Sequence, residues 1–285
     1  MEVVTQKKLI RDFLVKPQKN LGQHFIIHEQ LFDKIIENSN LASDDVVVEI
    51  GAGLGGLTTR LAKKVKVVFA IEKDGNLVNL LKSKIIKNEN IKIIHQDALL
   101  FDYQQVAKET GKSLKIIGNL PFFIASPITF KLLRKRDFIE CMVFMYQKEV
   151  AERILATPGG KDYGFLTVVA NFYADLKPII SVAKEAFFPQ PKVDSKVIKF
   201  QLLPSPRLAV ENENFFLTVV KTLFSQRRKK LRNAIRPLLG IRSVESFFHQ
   251  VAIDPNQRPE MLAVEKFVAL SNCLLEELKT YQYEK

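Results

Sequence analysis

Short runs rich in valine and isoleucine recur from Val46 onward, separated by segments whose apolar residues fall three or four apart. The runs are "VVVEI", "VKVVFAIE", "IKIIHQD" and "LKIIGN"; between them lie "GLTTRLAKK", "GNLVNLLKSKII" and a more polar helical stretch. Runs that do not alternate with polar residues are buried on both faces, and when helices separate them they predict βαβ units and a parallel sheet. "IECMVFMYQ" reads as a fifth strand running into the helical "KEVAERILA", and "TPGGKDYG" as a loop. "LKPIISVA" and "SKVIKFQLL" read as late strands flanking the proline-rich "FFPQPKVDS". From about Pro204 the pattern changes: "PSPR" breaks the chain, and helical periodicity without strands follows. The boundary placed there gives an α/β domain over 1–204, with 1–40 as an N-terminal segment, and a helical domain over 205–285.

"VVVEIGAGLGG" is a strand carrying an acid, then a glycine turn opening a helix. Gly51, Gly53 and Gly56 fit G-x-G-x-x-G, and Glu72 falls about 20 residues on, as in nucleoside-cofactor sites. Many tight turns use glycine without any ligand, so the acids must decide. Glu49 lies just ahead of the turn, where negative charge would not help a pyrophosphate. S-adenosylmethionine carries a sulfonium and an α-ammonium, which suit an acidic mouth. Glu72, ending the second strand, can accept from both ribose hydroxyls, and Asp97 in "IIHQDAL" can accept from an adenine amino group. Each acid alone could be a helix N-cap. Together they end three successive strands at the crevice where such sheets bind ligands, and they predict S-adenosylmethionine.

Asn119 ends the fourth strand in "IIGNLPFFIASP". An aromatic amine such as the 6-amino group of adenine is a poor nucleophile, because its lone pair is delocalised into the ring. An Asn side-chain oxygen and the Leu120 carbonyl can draw its hydrogens into bonds and localise that pair, with the gain mainly in the transition state. Pro121 fixes the geometry of the segment, and Phe122 offers a face on which the base can stack.

The net charge of +12 and pI near 9.5 add a polyanionic partner to this picture. "QRRKKLRNAIR" places Arg227, Arg228, Lys229, Lys230, Arg232 and Arg236 together with no acid among them, in a region of helical pattern. Such runs contact RNA phosphates without reading bases, or form a solvated helix face. The four histidines are scattered, and Cys141 and Cys273 sit in apolar runs, so neither a metal site nor a disulfide framework is expected. Two cysteines in apolar runs fit a reducing cytoplasm. The start of the chain lacks the apolar core and cleavage site of a secretory leader. The longest uncharged run, Ile116 to Phe130, is too short to span a membrane and holds two prolines.

"KNLGQHF", "VEIGAGLGGLT", "AIEKD", "QDAL", "GNLPFFIASP", "QKEVAERI", "FFPQPKVDS" and "RRKKLRNAI" follow one another in this order. The series resembles the ribosomal RNA adenine dimethyltransferases, in particular the small-subunit branch, from about Lys19 to the C-terminal helices. The resemblance implies a Rossmann-like S-adenosylmethionine-dependent methyltransferase with a seven-stranded, mostly parallel sheet and a small all-helical C-terminal domain. It implies dimethylation of two adjacent adenosines near the 3′ end of small-subunit rRNA, within an immature 30S particle, by a monomer needing no metal. By the same resemblance His24 and Ile26 line the cofactor pocket, Gly51 lies beneath the methionine part, and Phe187 faces Phe122 across the flipped base. Two positions depart from the branch: His24 stands where Asn is usual, and Phe122 where Tyr is usual. The large-subunit enzyme of macrolide resistance usually has Ile after the Asn and lacks the proline found here at Pro127. A non-catalytic rRNA-binding factor would not need Glu72, Asp97 and Asn119 together.

Overall fold

The computed structural model describes residues 5–85, 88–238 and 244–283. Its strands are β1 (Phe25–Ile26), β2 (Val46–Ile50), β3 (Val67–Glu72), β4 (Ile91–His95), β5 (Leu114–Asn119), β6 (Ile139–Gln147), β7 (Ala174–Val182), β8 (Phe187–Phe188) and β9 (Ser195–Leu202). Seven of them form one sheet in the order β4-β3-β2-β5-β6-β9-β7. β4, β3, β2, β5 and β6 run parallel, and β9 joins antiparallel to β6. The valine and isoleucine runs fill the middle: Val46, Val47, Val48, Ile116 and Ile117 are buried. Lys115 would be costly in such a strand, but its Nζ donates to the Asn40 carbonyl (2.7 Å) and pairs with Asp45 (2.8 Å).

The chain enters the sheet at β2, winds outward to β4, and returns to the other side of β2 as β5. That reversal opens a crevice beyond the carboxyl ends of β2 and β5, the position at which sheets of this kind bind ligands. β1 and β8 form a separate antiparallel ribbon, with Phe25 opposite Phe188 and Ile26 opposite Phe187. Sequence periodicity does not reveal the ribbon, because two-residue strands have no period to read.

The chain divides into two compact units. The first runs up to Ala151 and resumes over Asp175–Pro204; the second takes Glu152–Ala174 and the chain from Ser205 onward. The chain divides at Pro204/Ser205, where the sequence reading places its boundary, and the stretch Glu152–Ala174, which that reading kept in the α/β domain, groups with the helical unit. The cause is the helix Phe165–Tyr173, which buries Val168, Val169, Ala170, Phe172 and Tyr173 and whose Phe172 stacks on Phe216 (ring centroids 4.2 Å apart). Asn212 caps the helix Glu213–Ser225 by accepting from the Phe215 N–H, and Phe224 stacks on Phe267 at 5.6 Å. Among the described residues no helix is long and apolar enough to cross a membrane.

Candidate active site

The crevice holds about 1110 Å³ free of protein atoms, its open mouth included. Glu49, Gly51, Gly53, Glu72, Asp97, Asn119, Leu120, Pro121, Phe122 and Phe187 line it, with His24 and Ile26 from the N-terminal segment. Every residue expected at the cofactor and methyl-transfer site thus reaches one cavity. Gly51 has φ +78°, and a Cβ there would lie 3.3 Å from the Asn119 carbonyl oxygen. Only glycine adopts that backbone freely while letting the turn approach β5 so closely.

Glu72 accepts from the backbone N–H of Gly53 (2.9 Å), Lys73 (2.8 Å) and Asp74 (2.9 Å). Burial raises its carboxyl above the ordinary range, while those N–H groups oppose the rise. Asp97 has two roles: Oδ1 accepts from Leu99 N–H and caps the following turn, and Oδ2 pairs with Lys73 Nζ at 2.7 Å. The hydrogen bond from Lys73 is the main reason its carboxyl lies low.

Glu49 is 2% exposed, and among the described residues its Oε2 has no hydrogen-bond partner. Burial pushes its carboxyl up to about 8; the neighbouring Thr58 hydroxyl offsets this in part, and the Glu72 charge adds to it. An orphaned carboxylate oxygen beside a glycine turn fits a ligand bearing an ammonium or hydroxyl donor, and S-adenosylmethionine offers both. Because the folded value lies above the ordinary 4.5, folding takes up a proton between those two values. Stability from this group is therefore complete below about pH 4.5 and is lost as pH rises through about 8. Glu49→Gln is expected to raise Tm more at pH 9 than at pH 5; equal gains at both would remove Glu49 as the source of the slope.

Asn119 Nδ2 donates to the His24 carbonyl at 3.1 Å. A carbonyl can only accept, so this contact fixes the amide's orientation. Among the described residues no donor takes Oδ1. Leu120 buries its side chain and Pro121 sits at the N-cap of the helix Phe122–Leu133, which carries Pro127 inside it. The proline turn is therefore also a helix start, and Phe122 is its first residue. Phe122 is half-buried, whereas Phe187 is 4% exposed and packs in the core with Ile26 and Val182.

The N-terminal segment contributes residues that sequence reasoning did not single out. Gln6 lines the crevice, and the side-chain amides of Gln18 and Gln23 both donate to Asp74 Oδ2 at 2.8 Å. Gln23 falls within "KNLGQHF" and Asp74 within "AIEKD", so the signal was present without a stated partner.

The basic cluster lies on the turn after the helix Glu213–Ser225 and in the short helix Leu231–Ala234, not along one helix face. Arg228, Lys229 and Lys230 are exposed; Arg232 is half-buried. Arg227 is turned to structural use: it donates to the Lys161 and Gly160 carbonyls and pairs with Glu260 at 3.7 Å. The run without acids in sequence is thus partly neutralised in space.

A carboxylate faces the glycine turn, where it would not help a pyrophosphate, and β9 enters the sheet antiparallel between β6 and β7. Fold and site together define a Rossmann-like methyltransferase that uses S-adenosylmethionine. The family model described as ribosomal RNA adenine dimethylase matches residues 15–276. The chain is 40% identical over 269 residues to the ribosomal RNA small subunit methyltransferase A of Clostridium botulinum, covering 94% of this chain and 98% of that one. The crystal structure of a dimethyladenosine transferase from Plasmodium falciparum superposes with a TM-score of 0.74 at 26% identity, covering 88% of this chain and 96% of that one. That of the 23S rRNA methyltransferase ErmE gives 0.67 at 23%, covering 88% and 99%, and supports the fold alone. The chain belongs to the ribosomal RNA adenine dimethylase family.

Proposed function

We propose that this enzyme dimethylates the 6-amino groups of two adjacent adenosines in the 3′-terminal hairpin loop of small-subunit rRNA, within an immature 30S particle in the cytoplasm, acting as a monomer. The observation that carries the reading is Asn119, whose amide nitrogen is held by the His24 carbonyl so that Oδ1 is left to accept. Bound S-adenosylmethionine supplies an electrophilic methyl group. The chain's own contribution is positional: Asn119 Oδ1 and the Leu120 carbonyl take the two amine hydrogens, which localises the lone pair on nitrogen. Pro121 holds the two acceptors in register, and Phe122, with the part of Phe187 that reaches the crevice wall, contacts the base faces. Glu72 suits the ribose hydroxyls, Asp97 the adenine amino group, and Glu49 the methionine end. A paired or stacked base must leave its helix to reach such a crevice, at a cost of about a few kcal/mol, and stacking returns about 1–3 kcal/mol per base. The names of the relatives favour the small subunit.

The test is tritiated methyl transfer into 30S particles that lack the modification, followed by mapping of the labelled nucleotides. Label confined to two neighbouring adenosines near the 3′ end of the small-subunit rRNA is expected; label in large-subunit rRNA would overturn the assignment. Lys229→Gln with Lys230→Gln is expected to weaken rRNA binding and to reduce the slope of log K against log salt by about one for each phosphate no longer neutralised. An unchanged slope in filter binding would move the phosphate-binding surface elsewhere.

A further inference from the structure

His24 joins three parts of the site that are far apart in sequence. Its carbonyl accepts from Asn119 Nδ2 at 3.1 Å. Its ring Nδ1 lies 2.6 Å from the Pro189 carbonyl, two residues after Phe187. Its imidazole stacks on Phe122, with centroids 5.4 Å apart and planes 28° from parallel. The register of the β1–β8 ribbon, Phe25 opposite Phe188 and Ile26 opposite Phe187, brings His24 level with Pro189. A carbonyl only accepts, so Nδ1 carries the proton and the ring plane is fixed. An imidazole held in this way backs one face of Phe122, a half-buried ring at the first residue of a helix with no side-chain cap.

We propose that His24 is a positioning residue for base recognition: the imidazole, anchored by its Nδ1–H on Pro189, holds the Phe122 ring in the orientation in which its free face receives the target adenine. This rests on the reading of Asn119 to Phe122 as the methyl-transfer segment. His24 lines the same crevice as the cofactor residues, but its ring is engaged by the Pro189 carbonyl and by Phe122 rather than by the acids that end the strands. Loss of the side chain should therefore fall more heavily on RNA than on the cofactor.

The experiment uses the full-length enzyme and an rRNA fragment carrying 2-aminopurine, a fluorescent adenine analogue quenched by stacking, at the target position. His24→Ala is expected to lose most of the quenching and to raise KM for 30S particles about tenfold, with Kd for S-adenosylmethionine within about threefold of wild type. His24→Phe keeps a stacking ring without the donor, and His24→Gln keeps a donor without the ring; each should fall between wild type and His24→Ala. These two also guard against misfolding of the alanine variant. Unchanged quenching in all three, with weakened cofactor binding instead, would overturn the proposal. Stronger quenching in His24→Ala would also overturn it, since the imidazole would then be occupying the face that the base needs. Phe122→Ala separates the two levels: if it too leaves quenching unchanged, the assignment of the stacking segment fails, whereas loss there with no effect at His24 sinks only the role of the histidine.

Discussion

Asn119→Ala is expected to lower kcat for methyl transfer by about 10²- to 10³-fold, the usual cost of removing one positioned hydrogen-bonding group that acts mainly in the transition state. Binding of rRNA, measured by filter retention, should change little. The argument turns on the orientation of the amide. The His24 carbonyl takes Nδ2, so the oxygen is the atom offered to an incoming amine. Alanine removes that oxygen and breaks the tie to the His24 carbonyl just ahead of β1. Asn119→Asp makes a sharper comparison, because it keeps acceptor oxygens but sets one against the His24 carbonyl, 3.1 Å away in the native contact. It should be impaired as well, through displacement of the segment rather than loss of an acceptor. Turnover close to wild type in Asn119→Ala would sink the assigned role.

Phe122→Ala should lower kcat/KM by about 5- to 150-fold, the rate equivalent of the roughly 1–3 kcal/mol that stacking on an aromatic ring contributes per base. Phe122→Tyr should stay within about threefold of wild type, since the ring face is kept and the added hydroxyl lies at its edge. The Phe187→Ala effect is harder to assign to stacking, because that ring is 4% exposed and its loss would also leave a cavity in the core. Phe122 is therefore the cleaner probe. A Tyr variant as inactive as the Ala variant would contradict a role carried by the ring alone.

The parallel strands were legible because buried β-branched runs of five or six residues leave few alternatives, and Val46–Ile50 and Leu114–Asn119 begin and end as the sequence reading places them. The residues lining the crevice were legible for a related reason: in a sheet of this kind, the carboxyl ends of successive strands converge. Longer-range partners were not. Nothing in "QRRKKLRN" announces that Arg227 will turn to Glu260 and the Lys161 carbonyl, since both lie more than thirty residues away in sequence. Nor does the composition of "FLTVVANFY" say which core receives it, because an apolar helix is compatible with either. The His24–Phe122 contact is invisible for the same reason: two side chains that face each other across a folded crevice share no local pattern.

The second unit is assembled from two separate lengths of chain, Glu152–Ala174 and the part beginning at Ser205, with β7, β8 and β9 encoded between them. A gene fragment starting at Ser205 would leave Phe216 without the Phe172 ring that it stacks on. The helical unit is therefore not a cassette that recombination could lift out in one piece or graft onto another enzyme. Its inheritance is bound to that of the methyltransferase sheet.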